Sequence, residues 1–421
     1  MKKFLLLVLV SITLMTLSAN GTKEENEIVF WHSLSGSAAD SINEIVASYN
    51  KTNDKNIVVE AVYQGSANDV LNKVMAASNT NDVSNLPSLV QLDSTGVVSM
   101  VNNPYLISVQ ELSNGDYDFL IDSAIDGYLY KDELIALAFN ASTIMFYYNK
   151  TLFDSLNIGE IKTIDDFIKV APSLVSSSMP YALTLVPATY ELCTFIGAQN
   201  GLSYITDNEN GHQGLPTKSV FYEEGTLTEF LTKWKELSDT GVISSESNKL
   251  DSFLSQKSAT LVESTSKLSS VLNTASFEVG AAPLFCVNEN STTEANLSGG
   301  ALFAFENGKE ALTWDFMKYL TSKEVQLKFH LDTGYLPVNK ASYEMSEYKE
   351  HIAANPLYKV ASDIAFSSDL LGLWIPNGYE TYYAIQSNVK ALMNSELDVD
   401  QAAKNIRDGI NNALSEFSSK I

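Results

Sequence analysis

The sequence predicts an α/β protein with two Rossmann-like lobes and a ligand cleft between them. Two separate stretches alternate apolar strand patterns with amphipathic helix patterns, which is typical of sheets with helical crossovers. The length of 421 residues is also enough for two domains. Ligands of open α/β sheets bind beyond the carboxyl ends of the strands, so two facing sheet edges would form a cleft that closes by a hinge.

The first alternating stretch predicts a parallel sheet. Each apolar strand pattern in it is followed by an amphipathic helix pattern, and parallel neighbours need such crossovers. The predicted strands cover 28–31, 57–63 and 88–92, and the predicted helices lie around 38–49 and 70–75.

The second alternating stretch predicts another α/β unit, followed by a helical C-terminal part. Asn140-Ala141-Ser142 is expected to join its first two strands, and breaks in the C-terminal helices are expected at 334–337, Pro356 and Pro376. The predicted strands cover 134–139, 143–148, 181–186, 259–262, 277–281 and 301–305, and the predicted helices cover 164–170, 226–239 and 266–273.

The N-terminus indicates export. Lys2 and Lys3 precede an apolar stretch over 4–17, and Leu17-Ser18-Ala19 resembles a small-residue cleavage site. This pattern predicts a signal peptide over 1–19 and a periplasmic or secreted protein. The alternative is an uncleaved membrane anchor, although a span needs about 20 apolar residues. Asn20 stands where a bacterial lipoprotein has its cysteine, so no lipid anchor is expected.

The charge balance limits the partners. The formal net charge is −24, which disfavours nucleic acid and anionic lipid. Arg407 is the only arginine, although arginine is the usual bidentate partner of phosphate and carboxylate. An anionic ligand would therefore depend on a local lysine.

Cysteine and histidine usage gives no sign of a metal centre or cofactor. Cys193 and Cys286 are expected to be free, buried thiols in different lobes, because a bridge would restrict lobe motion; a disulfide is the alternative. The histidines lack metal-ligand spacing. The segment 207–211 misses the EF-hand pattern and is interpreted as an ordinary polar loop.

Five segments carry a resemblance to a known family. They are Phe30-Trp31-His32-Ser33 with Gly36, Tyr63-Gln64-Gly65, Phe139–Thr143 leading to Tyr147-Tyr148-Asn149-Lys150, Ser298-Gly299-Gly300-Ala301, and Thr333-Gly334-Tyr335-Leu336-Pro337-Val338. In this order and spacing, the chain resembles the extracellular solute-binding proteins of ABC importers. The similarity is to the group that binds sugars and glycerol phosphates, and it is greatest to the glycerol-3-phosphate binders.

The resemblance implies the type II periplasmic binding protein fold, with neither lobe continuous in sequence. Lobe one is expected to comprise 27–139 plus 265–308, and lobe two 140–264 plus 309–421. The resemblance also implies a small-molecule ligand, a membrane permease as partner and no catalysis. A monomer is the default expectation.

The resemblance also implies a set of ligand-binding residues. Ser94, beside Asp93, stands where the family has a pocket glutamate, and Tyr382 stands where it has an arginine for the phosphoryl group. Asp93 could instead cap a helix over Ser94–Met100. The remaining positions that match the family's pocket are Tyr63, Ser142, Tyr190, Ser264 or Thr265, Gly300 with its neighbour Gly299, and Tyr335.

Without the arginine, the expected pocket is aromatic and rich in hydroxyl groups. Trp31, Trp374 and Tyr379 add to its aromatic set, and aromatic planes suit the C–H faces of sugars as well as quaternary ammonium groups. A neutral sugar or oligosaccharide is therefore expected, with glycerol-3-phosphate or a glycerophosphodiester such as glycerophosphocholine as the alternative. A secreted carbohydrate-active enzyme is the alternative class, but it would need paired carboxylates about 5 to 10 Å apart. A chemosensory receptor subunit with the same fold also stays open.

Overall fold

The computed structural model describes residues 26–199, 203–292, 294–376 and 378–418. The predicted signal peptide over 1–19 lies outside the described residues. The strands are β1 (Glu27–His32), β2 (Val58–Tyr63), β3 (Leu89–Asp93), β4 (Leu106–Ile107), β5 (Leu129–Tyr130), β6 (Glu133–Leu134), β7 (Leu137–Ser142), β8 (Ile144–Asn149), β9 (Tyr181–Thr184), β10 (Ile243–Ser244), β11 (Ser258–Ser264), β12 (Val279–Ala282) and β13 (Ser298–Phe305).

The helices occupy the sheet faces and the C-terminal part. Within the described ranges, none is long and apolar enough to cross a membrane. They are α1 (Ser37–Thr52), α2 (Ala67–Ser78), α3 (Val97–Val101), α4 (Val109–Ser113), α5 (Asp122–Asp126), α6 (Lys150–Ser155), α7 (Ile164–Val170), α8 (Thr189–Gly197), α9 (Asp207–Asn210), α10 (Thr226–Asp239), α11 (Lys249–Leu254), α12 (Leu268–Thr274), α13 (Glu310–Leu320), α14 (Lys323–Thr333), α15 (Ser346–Ala354), α16 (Leu357–Ser367), α17 (Gly378–Met393) and α18 (Val399–Ser418).

A six-stranded mixed sheet organises the first lobe. Its order is β2-β1-β3-β13-β4, and β7 pairs with β13. Strand β1 is parallel to β2 and β3, as the first alternating stretch predicts, whereas β13 runs antiparallel to β3. Ile28, Phe30, Leu89 and Val90 are fully buried, because helices cover both faces of a parallel arrangement.

A five-stranded sheet organises the second lobe. Its order is β10-β9-β11-β8-β12, and β8 runs antiparallel to both of its neighbours. The amphipathic helix α10 has the predicted bounds and buries Leu227, Phe230, Leu231 and Trp234. Helices α17 and α18 pack on each other and on α10, so the C-terminal helices complete this lobe.

The chain passes directly from the first sheet to the second at Thr143, which separates β7 from β8. The predicted break at 140–142 is therefore wrong, since these residues pair with β13 as part of β7. Thr143 is buried, and its amide donates to Thr265 Oγ1 at 3.1 Å while its carbonyl accepts from the Thr265 amide at 2.8 Å. These bonds join two of the segments that connect the sheets.

The division of the chain differs from the predicted one in two places. Strand β12, predicted in lobe one, pairs with β8 in the second sheet. Helices α13 and α14, predicted in lobe two, pack on α1 of the first lobe, where Tyr49 Oη donates to Asp315 Oδ1 at 2.7 Å and Ser41 Oγ to Asp332 Oδ2 at 2.6 Å. Strand pairing and helix docking over long sequence separations decide both placements.

Both cysteines are free and buried, as predicted. Their predicted separation into different lobes is wrong. Cys193 belongs to α8, and the backbone of Cys286 bonds to Lys162 and Ile164 at the start of α7, in the same lobe.

Candidate ligand-binding site

A cavity of about 500 Å³ lies between the two lobes. This volume falls within the range of about 300–1,000 Å³ that is usual for small-molecule sites. Ser94, Gly127 and Tyr128 line it from the first lobe, and the connecting segment 296–298 forms part of its floor. The remaining wall belongs to the second lobe and comes from the segments 185–193, 245–249 and 372–375 and from helix α17.

Aromatic side chains form much of the wall. The Trp374 ring is buried and stacks on the His212 ring with centroids 3.8 Å apart. Tyr382 on α17 is 37% exposed, and its hydroxyl accepts from Gln386 Nε2 at 2.6 Å. Tyr128 is buried, and burial together with the charge of Asp93 raises the pKa of its phenol. These planes and hydroxyl groups suit a ligand with both C–H faces and polar edges.

Tyr190 places a buried hydroxyl group without a partner in this wall. Among the described residues, its Oη atom has no hydrogen-bond partner. Burial raises the pKa of the phenol, and interactions with the Ser298 and Thr143 hydroxyl groups, which fall short of hydrogen-bond geometry, oppose this shift. A buried polar group of this kind is costly until a ligand or water pairs with it. Tyr190 is therefore a candidate donor to a bound ligand.

The positive charge of Lys249, in the cavity wall, is paired with two carboxylates. Its Nζ atom lies 2.9 Å from Glu191 Oε1 and 3.6 Å from Glu263 Oε2. Burial acts to lower the pKa of Lys249, but the two carboxylates outweigh it and the pKa is raised. The lysine is therefore charged and held between two acids, which disfavours its use as a receptor for a phosphoryl group. Lys390, exposed on α17, is the other lysine of the lining.

Apart from the exposed Glu246, most of the remaining wall is apolar or weakly polar. Burial raises the pKa of the Cys193 thiol to about 12, so it stays protonated. Asn296 contributes an amide whose Oδ1 accepts from Thr194 Oγ1 at 3.4 Å. The aliphatic part of the lining comprises Leu185, Val186, Ala188, Leu297, Leu373 and Ile375.

The structure brings four of the predicted site residues together. Ser94, Tyr190, Trp374 and Tyr382 all line the cavity. The side chain of Tyr379 lies outside the described part of the chain. Asp93 is the last residue of β3 and lies opposite Gly300. Its charge contributes to the raised pKa of Tyr128, which lines the cavity.

Three predicted aromatic residues lie outside the lining. Trp31 packs half-buried against the core from β1. Tyr63 ends the edge strand β2 and is 57% exposed. The Tyr335 ring stacks on Phe329 with centroids 5.8 Å apart.

The predicted hydroxyl and glycine residues lie where the chain crosses between the sheets. Ser142 pairs with Ser298, Thr265 bonds to Thr143, and Ser264 Oγ lies 3.0 Å from Ser266 Oγ. Gly299 has a φ of 109°, and a Cβ there would lie 2.0 Å from the Asn140 carbonyl oxygen. A Cβ on Gly300 would lie 2.3 Å from Gln91 Nε2. Strand packing at the crossing therefore already accounts for both glycines.

Sequence reasoning missed several cavity residues. Tyr128, Glu191, Lys249 and Asn296 stand in no pattern that marks a site, and the last three come from separate elements of the second lobe and its connection. The buried His212 behind Trp374 was also missed. Only its neighbourhood, the segment 207–211, had been singled out, and then as a polar loop.

Two α/β lobes, joined by several crossings and enclosing one cavity, define a protein that holds a small molecule between its lobes. Residues 44–356 match the sequence model of the bacterial extracellular solute-binding protein family. The chain therefore belongs to this family. It is a solute-binding protein of an ABC importer, and not an enzyme. Proteins of this family are extracellular or periplasmic, and they work with ABC transporter permeases.

Individual relatives agree with this assignment. The sn-glycerol-3-phosphate-binding periplasmic protein of Pectobacterium atrosepticum is 24% identical over 365 residues, which cover 82% of this chain and 81% of the relative. The cyclic α-maltosyl-1,6-maltose binding protein of Arthrobacter globiformis has a similar fold, with a TM-score of 0.76, 19% identity and coverage of 93% and 99%. UgpB of Mycobacterium tuberculosis in complex with glycerophosphocholine gives a TM-score of 0.75 at 20% identity, with coverage of 93% and 98%. The structural likenesses bear on the fold alone.

Proposed function

We propose that this protein captures a neutral sugar or a short oligosaccharide in the interlobe cavity and delivers it to an ABC permease. The composition of the cavity wall carries this proposal. The partly exposed Tyr382 ring offers an aromatic plane to the apolar face of a sugar, and the buried Tyr128 and Trp374 rings lie in the wall around it. Hydroxyl, amide and carboxylate groups of the lining suit the polar edges of a sugar. The structural relative from Arthrobacter globiformis, named for binding a cyclic maltosyl-maltose, supports a carbohydrate ligand.

A phosphorylated ligand is the second candidate, because relatives are named for binding glycerol-3-phosphate and glycerophosphocholine. The wall argues against a free phosphomonoester. Arg407 lies on α18, where it pairs with Asp408 and stacks on Tyr222, and Lys249 is held by two carboxylates. Lys390 is then the remaining lysine of the lining, and it is exposed to solvent. One exposed ammonium group is a poor match for a desolvated dianion. Glycerophosphocholine is still supported as a candidate, because the aromatic side chains of the wall suit its quaternary ammonium group.

We also propose that the protein is a monomer and that it works in the periplasm or outside the cell. The sequence pattern supports a cleaved signal peptide over 1–19 and no lipid anchor at Asn20. Intact-mass measurement of the native protein tests them, since an added diacylglycerol mass or an uncleaved N-terminus would overturn this part.

The ligand class is tested by a thermal-shift panel. The panel contains mono- and oligosaccharides, sn-glycerol-3-phosphate and glycerophosphocholine. A ligand at 100 times its dissociation constant adds about 2.7 kcal/mol to the free energy of unfolding. A shift with a saccharide is expected, whereas a shift with glycerol-3-phosphate and none with any saccharide would overturn the proposal.

A matched pair of variants then locates the site. Tyr382→Ala removes a ring from the cavity wall, and Tyr383→Ala removes its 62% exposed neighbour, which is not part of the lining. The ligand-induced shift should fall in Tyr382→Ala and stay native in Tyr383→Ala. Equal shifts in both variants would place the ligand elsewhere.

A further inference from the structure

A loop of the second lobe contacts a hairpin of the first lobe beside the cavity. The loop covers 207–214 and leads to Ser219, which bonds to Asn411 on α18. The hairpin consists of β5 and β6. The Lys131 amide donates to the His212 carbonyl oxygen at 2.8 Å, and Gln213 Nε2 donates to Asp132 Oδ1 at 3.3 Å. We call this contact the clasp.

His212 lies at the centre of the clasp and is 2% exposed. Its Nδ1 atom lies 3.2 Å from the Leu129 carbonyl oxygen, and its Nε2 atom lies 3.0 Å from the Gly372 carbonyl oxygen. Leu129 follows the cavity residue Tyr128, and Gly372 is itself part of the cavity wall. Both neighbours are acceptors, and the neutral ring carries a single N–H, so His212 donates to one of the two carbonyl oxygens and packs against the other. The ring therefore contacts a wall segment of each lobe.

The same ring supports Trp374. The two rings stack at 3.8 Å with an angle of 23° between their planes, so His212 occupies one face of the indole. The Trp374 amide donates to the Asn210 carbonyl oxygen at 2.8 Å. A Cβ on Gly211 would lie 2.7 Å from the Trp374 carbonyl oxygen, so only glycine lets the loop approach this closely.

The backbone of the clasp is held in an unfavourable conformation on both sides. Asn208, Glu209 and Asn210 have φ values of 54°, 54° and 57°, and the hairpin residues Lys131 and Asp132 have 51° and 65°. Asparagine and aspartate adopt this conformation readily, whereas Glu209 and Lys131 each cost roughly 1 kcal/mol or more there. One strained residue therefore lies on each side of the contact, and such strain persists only where surrounding contacts enforce it.

We propose that His212 is a positioning residue of the cavity, which fixes the Trp374 ring and clasps the hairpin of the first lobe to the wall of the second. The clasp then sets both the shape of the wall and the resistance of the lobes to opening. This inference rests on the proposed function in taking the cavity as the ligand site. No family-matched position identifies His212, since it lies outside the segments that carry the resemblance.

Two substitutions separate the functions of the ring. His212→Phe keeps an aromatic plane for Trp374 but loses the ring N–H that donates to a carbonyl oxygen. His212→Gln loses the plane but keeps an N–H donor for the same carbonyl groups. Asn405→Ala is the control, because it breaks side-chain bonds only within the second lobe, with Asn388 at 2.9 Å and Gln401 at 2.7 Å.

The first readout is the radius of gyration by X-ray scattering without added ligand. His212→Phe should have a larger radius than the native protein, and His212→Gln and Asn405→Ala should keep the native radius. The second readout is hydrogen exchange of the Lys131 amide, expected to become about tenfold faster in His212→Phe because the bond across the clasp is lost. A folded His212→Phe with native radius and native Lys131 exchange would overturn the proposal.

A third measurement needs no variant, should His212→Phe fail to fold. In the native protein, the Lys131 amide bonds across the clasp, whereas the Ile135 amide bonds within the hairpin to the Tyr128 carbonyl oxygen at 3.2 Å. Both amides should be protected from exchange. Protection of Ile135 with an unprotected Lys131 would show that the clasp does not form in solution. None of these measurements uses a sugar. They can therefore be interpreted even if no compound of the thermal-shift panel binds.

Discussion

At the scale of single residues, the cavity is distinguished by how its polar groups are paired. Lys249 is held by Glu191 and Glu263, whereas the hydroxyl of Tyr190 has no partner among the described residues. One lysine and two carboxylates leave a net negative charge in this part of the wall, which disfavours an anionic ligand. The Tyr190 hydroxyl contributes a donor. The wall therefore favours ligands that accept hydrogen bonds without carrying a full charge.

Replacing Tyr190 by phenylalanine should separate binding from stability. Tyr190→Phe removes a hydroxyl with no protein partner, so the free energy of unfolding without ligand should stay native or rise by up to about 1 kcal/mol. Affinity for the saccharide identified in the panel should fall about fivefold to tenfold, because one ligand hydrogen bond is lost. Urea unfolding and titration calorimetry measure the two quantities.

The matched control is Tyr147→Phe. The Tyr147 side chain is fully buried, and its hydroxyl donates to the Ser264 carbonyl oxygen at 2.9 Å. This variant should lose about 1 kcal/mol of stability and keep native affinity. The opposite pattern, with Tyr190→Phe destabilised and its affinity unchanged, would contradict the assignment of Tyr190 to the ligand.

The sequence predicted which types of side chain line the cavity better than it predicted the individual residues. Trp374, Tyr190 and Tyr382 line it, as does Ser94, whereas Tyr63 is exposed at the sheet edge. Residues such as Lys249 enter through the packing of elements distant in sequence. A lysine in a polar stretch has no periodicity or spacing that marks it, so only the fold reveals it.

At the scale of elements, β13 is the strand of the first sheet that pairs with three others. It lies between β3 and β4, pairs with β7 as well, and shifts register between Gly300 and Ala301. The backbone of β7 comes so close at Gly299 that no side chain fits there. The start of β13 therefore fixes how the crossing strand leaves the first lobe.

Alanine at the two glycines should destabilise the protein unequally. Gly299→Ala must place a Cβ against the Asn140 backbone at a φ of 109°, so a loss of about 3 kcal/mol or more is expected. Gly300→Ala meets mainly the side-chain ends of Gln91 and Asn140, which can rotate, and its Cβ lies 3.1 Å from the Leu92 carbonyl oxygen; it should lose about 1 to 2 kcal/mol. Urea unfolding measures both losses, and a larger loss in Gly300→Ala would contradict this account of β13.

Elements with a clear period were predictable, and short ones were not. The helix over 226–239 and the first three strands appear close to their predicted places. The β5–β6 hairpin was missed, because Lys131 and Asp132 adopt left-handed conformations for which glycine and asparagine are the usual residues. The segment 207–211, interpreted as a polar loop, does form a turn, and its asparagines suit the left-handed backbone at Asn208 and Asn210. Its contact with Trp374 could not be predicted, because that contact joins residues far apart in sequence.

At the scale of the whole molecule, buried histidines link stability to pH. Burial lowers the pKa of His212 to about 4, against the opposing carbonyls of Gly372 and Leu129. Burial also lowers the pKa of His330 to about 4, with a further contribution from His351. The unfolded chain, with histidine pKa values near 6.5, therefore binds more protons than the folded protein between pH 6.5 and 4.

Acidification should destabilise the native protein through these two groups. Each should lower the free energy of unfolding by about 2 kcal/mol between pH 7 and pH 5, and the loss should level off below about pH 4. The variant with His212→Gln and His330→Gln isolates this effect from the carboxylates. Urea unfolding at both pH values should show a smaller loss in the variant, and equal losses in the two proteins would contradict the prediction.

The arrangement of two lobes could be predicted from the sequence, but not the share of the chain in each. The alternation of strands and helices marks two α/β units, and the resemblance implied that both are discontinuous. The placement of β12 and of α13 and α14 depends on contacts such as Tyr49 with Asp315, which join residues 266 positions apart. No local pattern encodes such a partner.

The position of β13 also matters while the chain is being synthesised. Ser298 pairs with Ser142 across 156 residues, so the first lobe lacks an internal strand until most of the chain has emerged. At about 5 to 20 residues per second, this delay lasts roughly 10 to 30 s. During that time β3 and β7 expose edges that β13 covers in the finished protein, and such edges can pair with other chains. The first sheet is therefore completed late, and a chaperone would have the longest access to the growing chain at these two strands.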